Sequence, residues 1–442
     1  MTLLMRALKG AALAMVMAPM SGQAAPESVE KPNIILILAD DLGAVDLNCY
    51  GSEDLYTPNL NKLAADGLRF SQFYVVAPVC ASSRAAIQTG RYPDHNGVVR
   101  NGQNLHKDET TIAEMLKPAG YSTALIGKWH VGMQWGGPNA EGFDYFYGHL
   151  GGCIENWGHN TLNWETGQVT VHDLWKNDKA VHREGSHFGD ILAEESINYI
   201  RQHKDEPFFL YAAFNSPHYP VQPLKHHYDR YSNLDEPRRS YAAFVSTLDE
   251  QVGRIVKAVD DCGLREKTMI VFLSDHGCSR EQRNALFIKD ADPNNPGGGS
   301  SGPYRGGKFE VWEGGVRVPC IISMPGSVPQ GETRDQVAAS IDFLPTFAKL
   351  ASAELPAQPI DGQPLNSLFE DNNQPTLHSA LRYVGEWDPI WAIRTGDWKL
   401  VKHRELLFLS DMSRDVTETD NLAAKYPEKV KELMKLYEDM KR

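Results

Sequence analysis

Apolar runs of branched and aromatic residues recur along the chain, and each stops abruptly on polar or charged residues. Residues 34–39 (IILILA) end on Asp40-Asp41. Residues 121–127 run into Lys128-Trp129-His130, residues 208–214 into Asn215-Ser216-Pro217-His218, and residues 269–273 into Ser274-Asp275-His276-Gly277. Runs of this length without alternation predict strands buried on both faces. Between them the apolar spacing changes to the helical period. Ile191, Leu192, Ile197 and Ile200 mark the inner face of a helix over 186–203, and Tyr241, Val245, Leu248, Val252, Ile255 and Val259 mark a longer one. Shorter helices are expected over 57–64, with Pro58 in the first turn, and over a segment closing at 114–117 before Pro118. Residues 67–74 and 320–322 read as further strands. Residues 391–394 and 398–401 read as antiparallel strands, and 427–440 as a terminal helix.

Strand and helix in alternation imply an α/β fold with a mostly parallel central sheet and helices on both faces. A small C-terminal α+β subdomain with an antiparallel sheet follows a linker near 371–375. The divisions expected are a secretory signal over 1–24, a catalytic domain over 25–372 and the C-terminal subdomain over 373–442. The signal reading rests on Arg6 and Lys9 ahead of a short apolar run at 11–20, with Gly22-Gln23-Ala24 offering small residues for cleavage after Ala24. The run is too short to span a bilayer, so an exported, periplasmic or secreted chain without stable membrane insertion is expected. An uncleaved anchor is the alternative.

Composition narrows the chemistry. With 44 basic and 57 acidic residues the net charge is −13, which argues against a nucleic-acid binder. Six cysteines, at 49, 80, 153, 262, 278 and 320, have no paired spacing and suggest neither a disulfide framework nor a zinc site. A Pro-, Asn- and Gly-rich stretch over 291–304 reads as a flexible lid-like loop.

In a parallel sheet, ligands bind beyond the carboxyl ends of the strands. Asp40, Asp41, Lys128, His130, His218, Asp275 and His276 all fall just past such an end. Cys80 sits at the mouth of a short helix predicted over 83–89 and closed by Gly90, where the positive end of the dipole favours anions and a lowered thiol pKa. By itself a lone cysteine is also read as a small buried hydrophobe. Asp40, Asp41 and Asp275 are hard oxygen donors suited to calcium or magnesium, with His276 completing the shell or binding ligand. Arg84, Lys128 and Lys308 bring cations to the same edge. A metal and several cations around a nucleophile suit transfer of a tetrahedral oxyanion.

These residues resemble a family. Asp40-Asp41, Cys80-x-x-x-Arg84, Gly127-Lys128-Trp129-His130, Ser216-Pro217-His218, Ser274-Asp275-His276-Gly277 and Gly307-Lys308 with Glu313-Gly314-Gly315 look like the ordered motifs of type I sulfatases, in the alkaline-phosphatase-like superfamily. The resemblance runs from about Pro32 to Leu422. It implies that Cys80 is converted to formylglycine by a formylglycine-generating enzyme and, as the hydrate, attacks sulfur. It implies an ion on Asp40, Asp41, Asp275 and His276, with residue 80 itself among its ligands. Arg84 and Lys128 would orient the hydrate and neutralise charge. His218 and Lys308 would face the leaving oxygen, and His130 would assist release of sulfate. Two positions depart from the family's pattern: Ser82 stands where proline is usual, and His276 where asparagine is frequent.

Residues 145–187 are rich in histidine and aromatics: His149, Trp157, His159, Trp164, His172, Trp175, His182 and His187, with Glu155 and Asn156 among them. Of these His149, Asn156, Trp157 and His159, together with Arg305, are the candidates for substrate binding; a half-buried aromatic loop is the alternative reading. The expected activity is hydrolysis of sulfate esters, on a sulfated carbohydrate. Two alternatives stand beside it, a phosphomonoester or phosphonate hydrolase of the same superfamily and a sugar-binding homologue in which Cys80 remains a thiol.

Overall fold

The computed structural model describes residues 31–132, 136–162, 169–280, 297–387 and 389–441. The signal segment, Trp164 and positions 291–296 of the Pro-, Asn- and Gly-rich stretch therefore lie outside the described residues. Residues Lys31–Arg442 make one compact unit.

Its centre is a ten-stranded mixed sheet. Asn33–Asp40 lies in the middle and pairs in parallel with Thr268–Ser274 on one side and with Phe208–Pro217 on the other. Ser122–Lys128 and then Tyr145–His149 extend the parallel part beyond Phe208–Pro217. The far edges turn antiparallel, as Cys320–Ser323 pairs against Thr268–Ser274 and Trp175–Lys176 against Tyr145–His149. The central strand is buried on both faces, as its unbroken apolar run requires. Ile34, Leu36 and Leu38 join a core with the helices Cys80–Thr89 and Phe343–Ala351. Ile35, Ile37 and Ala39 face the other way, onto Phe188–Gln202 and Arg238–Asp261.

Register sets the edge that carries function. Ala39 pairs with Ser274, Asp40 with Pro217, and Gly127 with Ala213, so Asp40, Asp275, Lys128 and His218 leave the sheet together. Gly127, at φ +124°, is required there, because a Cβ would overlap the Ala213 carbonyl oxygen.

Three local expectations differ from the structure. Residues 67–74 form two short strands, Leu68–Phe70 and Phe73–Tyr74, because each pairs with a different partner, Cys320–Ser323 for the first and Ala338–Ala339 for the second. In the helix Phe188–Gln202, Ile197 is only half-buried and Tyr199 takes the inward place. Tyr145–His149, read as part of a substrate loop, is a strand of the sheet.

The C-terminal residues build a four-stranded antiparallel sheet, Leu381–Val384, Ile390–Thr395, Trp398–His403 and Leu406–Asp411. The helix Pro427–Asp439 covers one face, with Trp391 stacked on Tyr437 at 4.0 Å. A buried ion network fastens this sheet to the body. Lys399 Nζ lies 2.9 Å from Glu313 Oε1 and 3.0 Å from Glu418 Oε1, and all three side chains are inaccessible to solvent. Glu418 Oε2 also accepts the Glu313 N–H at 2.7 Å, and Tyr74 donates its hydroxyl to Glu313 Oε2 at 2.8 Å. Burial alone would raise the Glu313 carboxyl, but Lys399, then Arg317 and Arg394, outweigh it and hold it at about 2. Glu418 is pushed up to about 6 by burial, with Glu313 adding to the effect against the pull of Lys399.

One ammonium between two buried carboxylates makes a testable prediction. Lys399→Met is expected to cost about 3–5 kcal/mol by leaving, among the described residues, Glu418 without a cation and Glu313 with Arg317 alone in ion-pair range. Without the cation Glu418, already raised in the folded state, moves further up and Glu313 loses the largest of the charges that lower it, so protonation relieves the strain. The melting-temperature deficit should be full at pH 8 and shrink toward pH 5; a deficit that grows on acidification contradicts the assignment.

Candidate active site

Every candidate for catalysis and metal binding converges on one rim. Cys80 opens the helix Cys80–Thr89, all ten of whose residues are buried, and Gly90 closes it in the left-handed region with its N–H on the Ala86 carbonyl. Ser82 occupies the first turn, where N–H groups have no intrahelical acceptor, so serine and proline serve the backbone equally there. Cys80 Sγ is 3.2 Å from His276 Nε2 and 3.7 Å from Asp40 Oδ1. Ser83 donates its hydroxyl to the Asp275 carbonyl, which fixes the helix start against the end of the strand Thr268–Ser274.

The cations beneath Cys80 are spent on carboxylates. Lys128 Nζ donates to Asp40 Oδ2 at 2.6 Å. Arg84 grips Asp275 Oδ2 through Nε at 3.1 Å and a terminal nitrogen at 2.9 Å, and that nitrogen is 3.5 Å from Asp40 Oδ2. Lys308 Nζ lies 3.1 Å from Asp41. His276 Nδ1 is 3.3 Å from Asp41 Oδ1, and His218 Nε2 is 3.8 Å from Asp41 Oδ2. Asp41 and His130 both hold positive φ, 66° and 56°, a conformation that costs non-glycine residues free energy and that clusters at functional sites.

The electrostatics follow from this crowding. Burial works against the Cys80 thiolate, yet Lys128, Lys308 and His276 outweigh it and hold the thiol well below its usual range. Burial, and then the Asp40 carboxylate, push Asp275 up to about 7. Against burial, Asp275 and the Cys80 sulfur raise His276 to about 10. Burial and the nearby Lys128 lower His130 to about 4, leaving a neutral imidazole.

A cleft of about 500 Å³ opens above Cys80. His130, His218 and Lys308 line it with Cys80, while Arg84 and Lys128 lie below its floor. The rest of the described wall is Asn101, Gly102, Gly152, Cys153, Thr161, Tyr219, Phe309, Glu386 and Trp387.

None of the five residues expected to bind substrate is on that wall. His149 is fully buried at the end of its strand, opposite Lys128 in register, with its ring against Phe188. Asn156 is buried and donates to the Pro220 carbonyl at 3.3 Å, and the His159 ring lies 3.0 Å from the Ser186 carbonyl, so both tie loops together. Trp157 is 40% exposed and packs on His187. Arg305 lies 3.7 Å over the Trp312 ring and donates to the Glu418 carbonyl at 3.0 Å, fastening the C-terminal sheet instead. Of the wall residues missed in sequence, Tyr219 and Phe309 sit beside His218 and Lys308 and were within reach of that reasoning. Asn101, Glu386 and Trp387 come from segments with no local signal.

Comparison with known proteins places this geometry. The family model described as Sulfatase matches residues 32–353, and that described as N-sulphoglucosamine sulphohydrolase, C-terminal, matches 307–442. Human arylsulfatase A is 34% identical over 406 residues, covering 83% of this chain and 74% of its own. An N-acetylgalactosamine-6-O-sulfatase of Bacteroides thetaiotaomicron is 29% identical and covers 94% of both chains. The crystal structure of Ps i-CgsB in complex with k-i-k-neocarrahexaose superposes with a TM-score of 0.83 at 30% identity, over 93% of each chain. This chain belongs to the sulfatase family of the alkaline-phosphatase-like superfamily and is a hydrolase of sulfate esters.

Proposed function

We propose that the chain is an exported sulfatase acting on a sulfated carbohydrate, with Cys80 matured to formylglycine and a divalent cation, calcium or magnesium, on Asp40, Asp41, Asp275 and His276. The observation that carries the reading is the convergence over Cys80: three carboxylates, three cations and three histidines meet beneath and around one cleft.

The donor set fits a hard cation. Candidate ligand atoms of Asp40, Cys80, Asp275 and His276 lie within 4.8 Å of one another, and so do those of Asp40, Asp41, Cys80 and His218. Asp41 Oδ1 is buried 3.1 Å from Lys308 Nζ and 3.3 Å from His276 Nδ1, so this oxygen already faces positive charge where a metal would sit. Three carboxylates suit calcium or magnesium better than softer metals. When bound, such an ion would polarise a sulfate oxygen and favour the ionised nucleophile. The formylglycine hydrate would supply one hydroxyl to attack sulfur and a second whose deprotonation expels sulfate.

The chain's own side chains do the rest. Lys128 and Arg84, held on Asp40 and Asp275, bring cations to the floor of the site, where the attacking oxygen and the sulfate meet. Lys308 reaches the cleft from the opposite side and meets the sulfate and the leaving oxygen. His218, anchored by its Nδ1 at 2.7 Å from the Tyr219 carbonyl, presents Nε2 to the cleft and protonates the leaving alkoxide. His130, neutral and beside residue 80, takes the proton of the remaining hydroxyl.

A carbohydrate as substrate is supported by the aromatic wall of Tyr219, Phe309 and Trp387 and by the sugars named for relatives of both kinds, curated and structural. Export rests on the pattern of residues 1–24, and maturation requires a formylglycine-generating enzyme as partner. Among the described residues no helix is long and apolar enough to cross a membrane.

Two experiments test this reading. Peptide mass spectrometry on active protein from its native host should find an aldehyde at residue 80; full activity with an intact thiol would refute the proposed maturation. Removing the general acid should matter most for poor leaving groups, so His218→Ala is expected to lower kcat about 10²–10⁴-fold on a sugar sulfate and far less on p-nitrophenyl sulfate. Equal losses on both would assign His218 another role.

A further inference from the structure

The strand Val169–His172 pairs with Asn160–Leu162, and Thr161 of that partner strand lines the cleft. His172 ends its strand. The chain then makes the hairpin of Trp175–Lys176 and Lys179–Ala180 and returns to put His182 and Glu184 beside His172. The Val181 N–H donates to the Leu174 carbonyl at 2.9 Å, which closes the base of that excursion.

His172 Nε2 lies 2.8 Å from the Val181 carbonyl oxygen. A carbonyl only accepts, so Nε2 carries the ring proton and the neutral ring keeps its lone pair on Nδ1. That Nδ1 is 4.0 Å from Glu184 Oε1, and His182 Nδ1 is 2.8 Å from the same oxygen. A nitrogen lone pair and a carboxylate this near each other call for a cation between them. Candidate ligand atoms of all three residues lie within 4.8 Å of one another. Tetrahedral zinc, with bonds of about 2.0–2.1 Å, holds its ligand atoms roughly 3.3 Å apart, between the two separations found here. A backbone carbonyl on the far ring nitrogen, as on His172, is also what commonly orients a metal-binding imidazole. The two rings stack with centroids 4.3 Å apart, so His182 has to turn before both lone pairs meet one ion. The His182 side chain is 65% exposed and that of Glu184 52%, which leaves both the room to do so. Binding through Nδ1 places the His182 ring proton on Nε2.

A second histidine pair is built differently. His226 and His227 each place Nε2 2.9 Å from Glu250 Oε2. An ion there would shift the His227 proton to Nδ1, which is buried with no hydrogen-bond partner among the described residues.

We infer that His172, His182 and Glu184 form a second metal site, separate from the carboxylates under Cys80, for a borderline divalent transition metal such as zinc. Two imidazoles and one carboxylate suit such a metal and offer too few oxygens for calcium or magnesium. The bound ion ties the end of the strand paired with Thr161 to the loop at 182–184, and so steadies that part of the cleft wall.

The test titrates zinc chloride into the full matured enzyme, in excess calcium and magnesium, and follows binding by calorimetry. Wild type is expected to bind one zinc per chain. His182→Ala and Glu184→Gln change exposed side chains, and each should weaken that zinc by at least about tenfold while leaving hydrolysis of p-nitrophenyl sulfate in zinc-free buffer unchanged. His226→Ala should keep it. Zinc should also slow hydrogen exchange over 169–184 in wild type and not in His182→Ala. No zinc bound by wild type, an affinity unchanged in both His182→Ala and Glu184→Gln, or protection confined to the rim around Cys80 overturns the assignment.

Discussion

Three carboxylates removed from water at the end of one sheet are the constraint around which this molecule is arranged. Asp40, Asp41 and Asp275 are all buried, and an uncompensated buried carboxylate costs several kcal/mol. The compensation comes from separate parts of the chain: Arg84 from the helix Cys80–Thr89, Lys128 from a neighbouring strand and Lys308 from a loop more than two hundred residues away. None of these contacts forms until the sheet has its order and register. The same arrangement packs Asp41 Oδ1 against Lys308 and His276, pushes Asp275 upward, and raises His276 beside it. The raised Asp275 is that of a carboxylate whose neighbouring cations do not offset its burial beside Asp40.

The helix Cys80–Thr89 turns that constraint into chemistry. Its first residue projects over the carboxylates, and its buried flank packs on the central strands, so residue 80 has little freedom to move away. Asp41 and His130 at the rim and Phe309 on the cleft wall, all with positive φ, show where the backbone accepts an unfavourable conformation to aim a side chain. The C-terminal sheet belongs to the same design. Lys399, shared between Glu313 and Glu418, locks it against the body, and the locked sheet supplies part of the cleft wall.

Most of the central sheet was legible in the sequence because its strands are buried on both faces and therefore read as unbroken apolar runs ending on charged residues. That signal located Asp40, Lys128, His218 and Asp275 without any contact information, and parallel pairing then put their strand ends on one edge. The strand Tyr145–His149 was not legible: five residues ending in Gly148-His149 show neither alternation nor an aliphatic run, and the surrounding histidines and tryptophans suggested a binding loop. The cleft wall was harder for a different reason. Asn101, Glu386 and Trp387 reach it through tertiary contacts between loops, and nothing in their neighbours distinguishes them from surface residues. Arg305 illustrates the converse. A cation close in sequence to Lys308 looks like a substrate ligand, yet its guanidinium lies flat on Trp312 and holds the C-terminal sheet.

The central claim is that the buried carboxylates are built to hold one divalent cation under residue 80. Elemental analysis of the purified native protein after exhaustive dialysis tests it most directly. The account predicts about one calcium or magnesium per chain, lost together with activity in Asp41→Asn. A fully active protein that retains no divalent metal would contradict it.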